Sequence, residues 1–142
     1  MAELTSTANA VWHGGLSDGS GTVSLASGAA GPLPVSWASR TEAAHGKTSP
    51  EELIGAAHAA CYSMAFSNDL AAAGGTPKEL NVTAKVTFAV TEKGAGITGV
   101  ALTVTGSVDG LDADGFAKVA ESAKENCPVS RALAVPITLT VN

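Results

Sequence analysis

Two thiols stand where chemistry is conceivable. Cys61 lies in "SPEELIGAAHAACYSMAFS", residues 49–67, three positions after His58 and ten after Glu51, and Cys127 lies in "KENCPVS" directly before Pro128. A thiolate is the reactive form of cysteine, and an unperturbed thiol with a pKa of about 8.5 is only a few per cent thiolate at pH 7. Three readings of Cys61 are open: a small buried apolar residue, the nucleophile of a Cys-His pair with His58, or a redox-active sulfur. A zinc site is disfavoured. His13, His45 and His58 are scattered, and neither cysteine has a second ligand at C-x-x-C or H-x-x-x-H spacing.

The chain has 142 residues, 45% of them hydrophobic, which suits one domain over residues 1–142 with a continuous core. Charged residues make up 15% and the net charge is −5, so no basic surface is at hand for nucleic acid. The opening "MAELTSTANAVWHGG" has neither a positive flank nor an apolar run. No stretch of roughly 18 apolar residues occurs to span a bilayer. The expectation is a cytoplasmic protein. There, glutathione and thioredoxin keep thiols reduced, so two cysteines 66 positions apart read as chemical or merely buried rather than as a staple.

The elements that must position these thiols follow from punctuation and period. "TANAVWHGG", "GTVSLAS" and "PVSWASR" are short runs rich in Thr, Val and Trp between Gly, Ser, Asp and Pro, as in a strand meander. Ser49-Pro50-Glu51-Glu52 supplies an N-cap, a proline at the first helical position and, in Glu52, a capping-box partner; Gly74 and Gly75 are placed to end that helix. Along it Cys61 shares a face with Ile54, Ala57 and Ala65, which predicts a buried thiol beneath a thin alanine and glycine surface. Leu80, Val82, Ala84, Val86, Phe88 and Val90 alternate, and after "TEKGAG" so do Val100, Leu102 and Val104, predicting a hairpin with one wet face. Phe116, Val119, Ala120 and Ala123 recur at helical spacing. Cys127 falls within about 20° of their stripe and so faces the core. Cys127 is also placed as N-cap of a short turn, "PVSRAL", opened by Pro128. A closing strand follows through Val135, Ile137, Leu139 and Val141. The order strands, helix, hairpin, helix, strand is an α+β arrangement of antiparallel sheet covered on one side by two main helices.

"GTVS", "SRTE", "SPEELIGAAHAACYSMA", "ENCPVS" and "ITLTV", in this order and across nearly the whole chain, resemble the OsmC/Ohr family of thiol-dependent peroxidases, named for osmotically inducible protein C and organic hydroperoxide resistance. The Ohr branch carries its active-site arginine in the early glycine-rich loop. Here that loop, "HGGLSDGSG", has none, and Arg40 in "ASRTE" is in register instead, as in the OsmC branch.

The resemblance implies that Cys61 reduces organic hydroperoxides, and hydrogen peroxide too, as a defence against oxidative stress. It further implies that Cys127 resolves the Cys61 sulfenic acid as a Cys61–Cys127 disulfide, and that an external dithiol of lipoyl type, rather than a bound cofactor, reopens it. Mid-helix burial raises a thiol pKa, so a cation is needed to counter it. The chain has two arginines, and Arg40 takes the role of stabilising the thiolate and the leaving oxygen. Glu51 aligns with the glutamate expected to orient that arginine through a two-pronged contact. Its plainer reading is a carboxylate favoured in a first helical turn. Met64, Phe66 and Trp37 offer apolar surface for an organic tail.

Two rivals remain at this level: an acyl-transferring cysteine hydrolase using Cys61 with His58, and a non-catalytic binding domain needing neither cysteine. The resemblance also bears on assembly. On one continuous helix Glu51 and Cys61 are about 15 Å apart along the axis and roughly 80° apart around it. Either the helix breaks between them, or Glu51, with Arg40 a candidate to travel with it, comes from a second chain. The alanine and glycine surface and the lack of proline within 51–73 favour an intertwined homodimer.

Overall fold

The computed structural model describes residues 2–142, which divide into two compact units, one ending at Pro50 and one running Glu51–Asn142. Among the described residues no helix is long and apolar enough to cross a membrane.

The first unit is a meander. β1 (Ala8–His13) pairs antiparallel with β2 (Ser20–Leu25), and β2 with β3 (Leu33–Val35). All six residues of β1 are exposed, Val11 at 48% and Trp12 at 43% among them. "PVSWASR" departs from the strand expected of it. β3 stops at Val35, and Ser36 instead caps a short helix, α1 (Trp37–Thr41): Ser36 Oγ accepts from Ser39 N at 3.1 Å and Ser39 Oγ from Ser36 N at 3.1 Å. This reciprocal box outweighs the strand preference of Val and Trp because it satisfies the first free amides of the helix.

The second unit is built on α2 (Pro50–Ala72), which runs 23 residues without a break. Pro50 costs nothing at its first position, and the carboxylates of Glu51 and Glu52 lie at its positive end. Its other end closes in a Schellman motif. Gly74 takes φ +89°, Gly75 N donates to Leu70 O at 2.9 Å and Gly74 N to Ala71 O at 3.1 Å. The buried face of α2 is Glu51, Gly55, His58, Tyr62, Phe66 and Leu70. Gly55 marks a close approach of the helix to the sheet, since a Cβ there would lie 3.1 Å from Ala84 O.

β4 (Thr76–Thr91) and β5 (Gly94–Asp109) form the expected hairpin, joined at Glu92-Lys93. Val100, Leu102 and Val104 are buried as the alternation requires. Val90 is not: it lies near the hairpin end, past a register shift between Thr87 and Phe88 at which Thr98 of β5 is left without a partner, and is 73% exposed. α3 (Ala113–Asn126), capped by Asp112, and α4 (Pro128–Ala132) then cross over to β6 (Ile137–Val141). β6 pairs with β5 in parallel, so the sheet, ordered β4-β5-β6, is mixed rather than wholly antiparallel. Such pairing needs a long crossover, which the two helices provide. Pro136 delays the strand expected from Val135, although its carbonyl already accepts from Val100 N at 3.0 Å.

α2, α3 and β5 share one core. The Phe66 ring lies 5.0 Å from Phe116, edge to face, and 5.6 Å from Tyr62, while Tyr62 Oη donates to Ala120 O at 2.8 Å. Burial holds the Tyr62 hydroxyl protonated, well above the ordinary tyrosine range, which suits a donor to a buried carbonyl.

Candidate active site

Both cysteines are free thiols, and they meet. Cys61 projects from the fourth turn of α2. Cys127 follows α3, is fully buried as expected, and is the N-cap of α4, where its side chain makes no capping bond. Pro128 at the first helical position has no N–H, so the amide of Val129 is the first free donor of α4. That amide donates to the Cys61 sulfur, and the Cys61 thiol in turn is hydrogen-bonded to Cys127.

Cys61 is half-buried rather than enclosed. The buried stripe of α2 runs one step round from it, through His58 and Tyr62, and Ala57 on its own face is exposed. Alanine on nearly every side left no clear stripe from which the face could be read. Burial pushes the Cys61 thiol up from its ordinary value, the Val129 amide pulls it down, and the neighbouring Cys127 adds to the rise. The sulfur thus has access to solvent and an adjacent thiol, with one amide favouring its thiolate.

His58 is fully buried. Its Nε2 lies 2.7 Å from Ser130 Oγ in α4, and its Nδ1 has no hydrogen-bond partner. Burial lowers its pKa, which keeps the ring neutral at pH 7. No local motif marks Ser130 as its partner, since only the docking of α4 on α2 joins positions 72 apart.

Glu51 and Cys61 are not brought together within the chain: α2 is continuous between them, so they remain about 15 Å apart along it. Glu51 is buried, with 7% of its surface exposed. Arg40 sits in the last turn of α1 in the first unit, its guanidinium 5.9 Å from the centre of the Trp37 ring. Of the residues expected to hold an organic tail, Met64 is 73% exposed and Trp37 half-buried, but Phe66 has no exposed surface. Its ring belongs to the core with Tyr62 and Phe116 and is withdrawn from substrate.

A family model described as OsmC-like protein matches residues 43–142. Peroxiredoxin OsmC of Escherichia coli (strain K12) is 45% identical over 128 residues, 90% of this chain and 89% of that protein, and peroxiredoxin OsmC of Shigella flexneri matches to the same extent. Among solved structures, an organic hydroperoxide resistance protein OsmC from Legionella pneumophila superposes with a TM-score of 0.78 at 29% identity, covering 100% of this chain and 99% of that one. These matches and the paired thiols define an α+β protein of the OsmC/Ohr type. The chain belongs to the OsmC-like family, on its OsmC side.

Proposed function

We propose that the chain reduces organic hydroperoxides, and hydrogen peroxide as a smaller substrate, through Cys61 as peroxidatic and Cys127 as resolving cysteine. It is a thiol peroxidase, an oxidoreductase of the antioxidant class. The observation that carries the residue assignment is the contact of the Cys61 sulfur with both the Cys127 thiol and the Val129 amide. The Cys61 thiolate attacks one oxygen of the O–O bond, the other leaves as alkoxide and takes a proton to become the alcohol, and Cys61 becomes a sulfenic acid. The Cys127 sulfur then attacks Cys61, forming the disulfide and releasing water. An external dithiol of lipoyl type returns both thiols and is itself oxidised.

Arg40 stabilises the thiolate and the leaving oxygen as a fixed, always-charged fork, and Glu51 orients it. A carboxylate buried as deeply as Glu51 is suited to holding a cation. The unbroken α2 supports supply of Glu51, with Arg40, from a second copy, because Glu51 of the same chain is out of reach of Cys61. Two further features favour an intertwined homodimer. β1 exposes Val11 and Trp12 in a three-stranded meander that buries little of itself, and α2 exposes Ala56, Ala60 and Met64. The enzyme acts as a single catalytic domain in the cytoplasm, where its thiols stay reduced between turnovers.

The test is a count of free thiols before and after one equivalent of an alkyl hydroperoxide. The peroxidase loses two and gains an intramolecular disulfide. An acyl-transferring hydrolase or a binding domain retains both, and that result would end this reading.

A further inference from the structure

The hydrogen bond between His58 and Ser130 has no part in the chemistry described so far, yet its position relative to the thiols is symmetrical. His58 lies three residues before Cys61 on α2, and Ser130 lies three residues after Cys127 on α4. Resting on the peroxidase reading, we propose that His58 is a positioning residue which, by holding Ser130, seats α4 on α2 so that Cys127 captures the Cys61 sulfenic acid before a second peroxide does.

α4 needs such an anchor. It has five residues, fewer than a helix needs to persist alone, and the Cys127 side chain gives it no cap. Its carbonyl and amide ends are tied to its own chain through Cys127 N to Ala123 O at 2.9 Å and Arg131 N to Cys127 O at 3.0 Å, and neither bond holds it to α2. Apart from the contacts of Val129 N and Cys127 with the reacting Cys61 sulfur itself, the 2.7 Å contact of His58 Nε2 with Ser130 Oγ does. A packing role alone explains the residue poorly. The ring is fully buried with Nδ1 lacking a partner, an arrangement that a leucine of similar volume would fill without an unsatisfied polar atom. What the imidazole adds is a fixed polar contact to the third residue of α4. In the neutral ring one nitrogen is a donor, and Nε2–H donating to Ser130 Oγ leaves a lone pair rather than a buried N–H unsatisfied.

The chemistry makes this seat consequential. Resolution joins the Cys127 sulfur to the Cys61 sulfur, breaks the S–OH bond and releases water. Its competitor is attack of the sulfenate on a second hydroperoxide, giving a sulfinic acid and an alcohol. The two sulfurs must close from hydrogen-bonding contact to a bond of about 2.05 Å. With Ser130 fixed, that movement is confined to Cys127 and Pro128. With Ser130 released, Cys127 is in place for only part of the time.

The experiment is a single turnover of the full chain with one equivalent of tert-butyl hydroperoxide in the presence of dimedone, which tags sulfenic acid. The ratio of tagged Cys61 to Cys61–Cys127 disulfide is read by mass. This ratio does not depend on how fast the sulfenic acid formed. We expect disulfide to dominate in the wild type. Ser130→Ala and His58→Leu should each raise the ratio about tenfold, the scale of one lost buried hydrogen bond, and the double variant should do no worse than either single one. His58→Gln, whose amide nitrogen reaches the place of Nε2, should recover most of the loss. Ser130→Ala removes one oxygen at a half-buried site and keeps the test valid if His58→Leu does not fold. A wild type forming disulfide while Ser130→Ala gives the same ratio would overturn the positioning role alone, as would a His58→Gln chain as impaired as His58→Leu. A wild type forming neither product would overturn the peroxidase reading, and this proposal with it.

Discussion

Glu51 and Cys61 share one uninterrupted helix and are separated by about 15 Å along its axis. If both serve one active site, they come from different chains. Mixing Cys61→Ser protein with Glu51→Ala protein should therefore restore activity, because each mixed dimer pairs a normal Cys61 from one chain with a normal Glu51 from the other. Under random exchange half the dimers are mixed and each carries one intact site, so roughly a quarter of wild-type activity is expected. Equal activity before and after exchange would mean that sites do not cross between chains.

The two cysteines should fail in different ways. Cys61→Ser should show no peroxide consumption. Cys127→Ser should consume about one equivalent and then stop, with Cys61 held as sulfenic acid or carried on to sulfinic acid under excess peroxide. Peroxide consumption and intact-protein mass measure both, and sustained turnover by Cys61→Ser would contradict the assignment.

Burial raises the Cys61 thiol and calls for a cation to offset it. Removing the charge in Arg40→Ala should raise the thiol pKa further and lower the thiolate fraction at pH 7. If Arg40 supplies that charge at contact distance, as proposed, a loss of about tenfold or more in the rate of peroxide reduction is expected. Arg40→Lys should recover part of it, since a point charge lacks the forked geometry. Thiolate absorbance followed against pH tests the cause directly, and an unchanged titration in Arg40→Ala would remove Arg40 from the site.

His58 should make the protein sensitive to acid. Its pKa is ordinarily 6.5 and is lowered in the folded chain by burial. Between the folded and unfolded values the unfolded chain binds a proton that the native one does not, so stability decreases there as the pH is lowered. The contribution is complete above 6.5 and is lost progressively as the pH drops through the folded value. Urea midpoints should accordingly fall more steeply between about pH 7.5 and about pH 5 in the wild type than in His58→Gln. Parallel slopes would show that His58 does not titrate on unfolding.

Phe66→Ala should destabilise the chain by about 3–5 kcal/mol, because the ring is fully buried between Tyr62 and Phe116 and its removal leaves a cavity that neither can fill. Urea unfolding gives the value. A cost below about 1 kcal/mol would instead match the exposed, substrate-facing role expected from the sequence.

The legible parts of the molecule were those written in local chemistry. Ser49-Pro50 and Gly74-Gly75 punctuate α2, period-two alternation marks β5, and Cys127-Pro128 announces α4. α1 was hidden because its capping box uses Ser39 where a glutamate or glutamine is the usual sign, while Val35 and Trp37 favour a strand. Val90 was misplaced because alternation carries no mark of where the hairpin outruns the core, nor of the irregular register before it. At the site, both thiols were visible from their motifs. The exposure of Cys61 was not, as alanine around α2 defines no face, and Ser130 was not, because its link to His58 exists only once two helices distant in sequence have docked.

The parallel pairing of β6 with β5 fixes an order of events during synthesis. β4 and β5 can close as a hairpin as soon as both have been made, but the far edge of β5, bearing the buried Val100, Leu102 and Val104, waits for α3, α4 and β6. Until β6 arrives, a long apolar strand has an open hydrogen-bonding edge, the feature most prone to pair with another nascent chain. The same crossover carries Cys127, so the second thiol and the strand that seals the sheet reach their places in one late step. A chain stalled before that step would present Cys61 without its partner thiol and β5 without its neighbour, and would be open at once to over-oxidation and to aggregation.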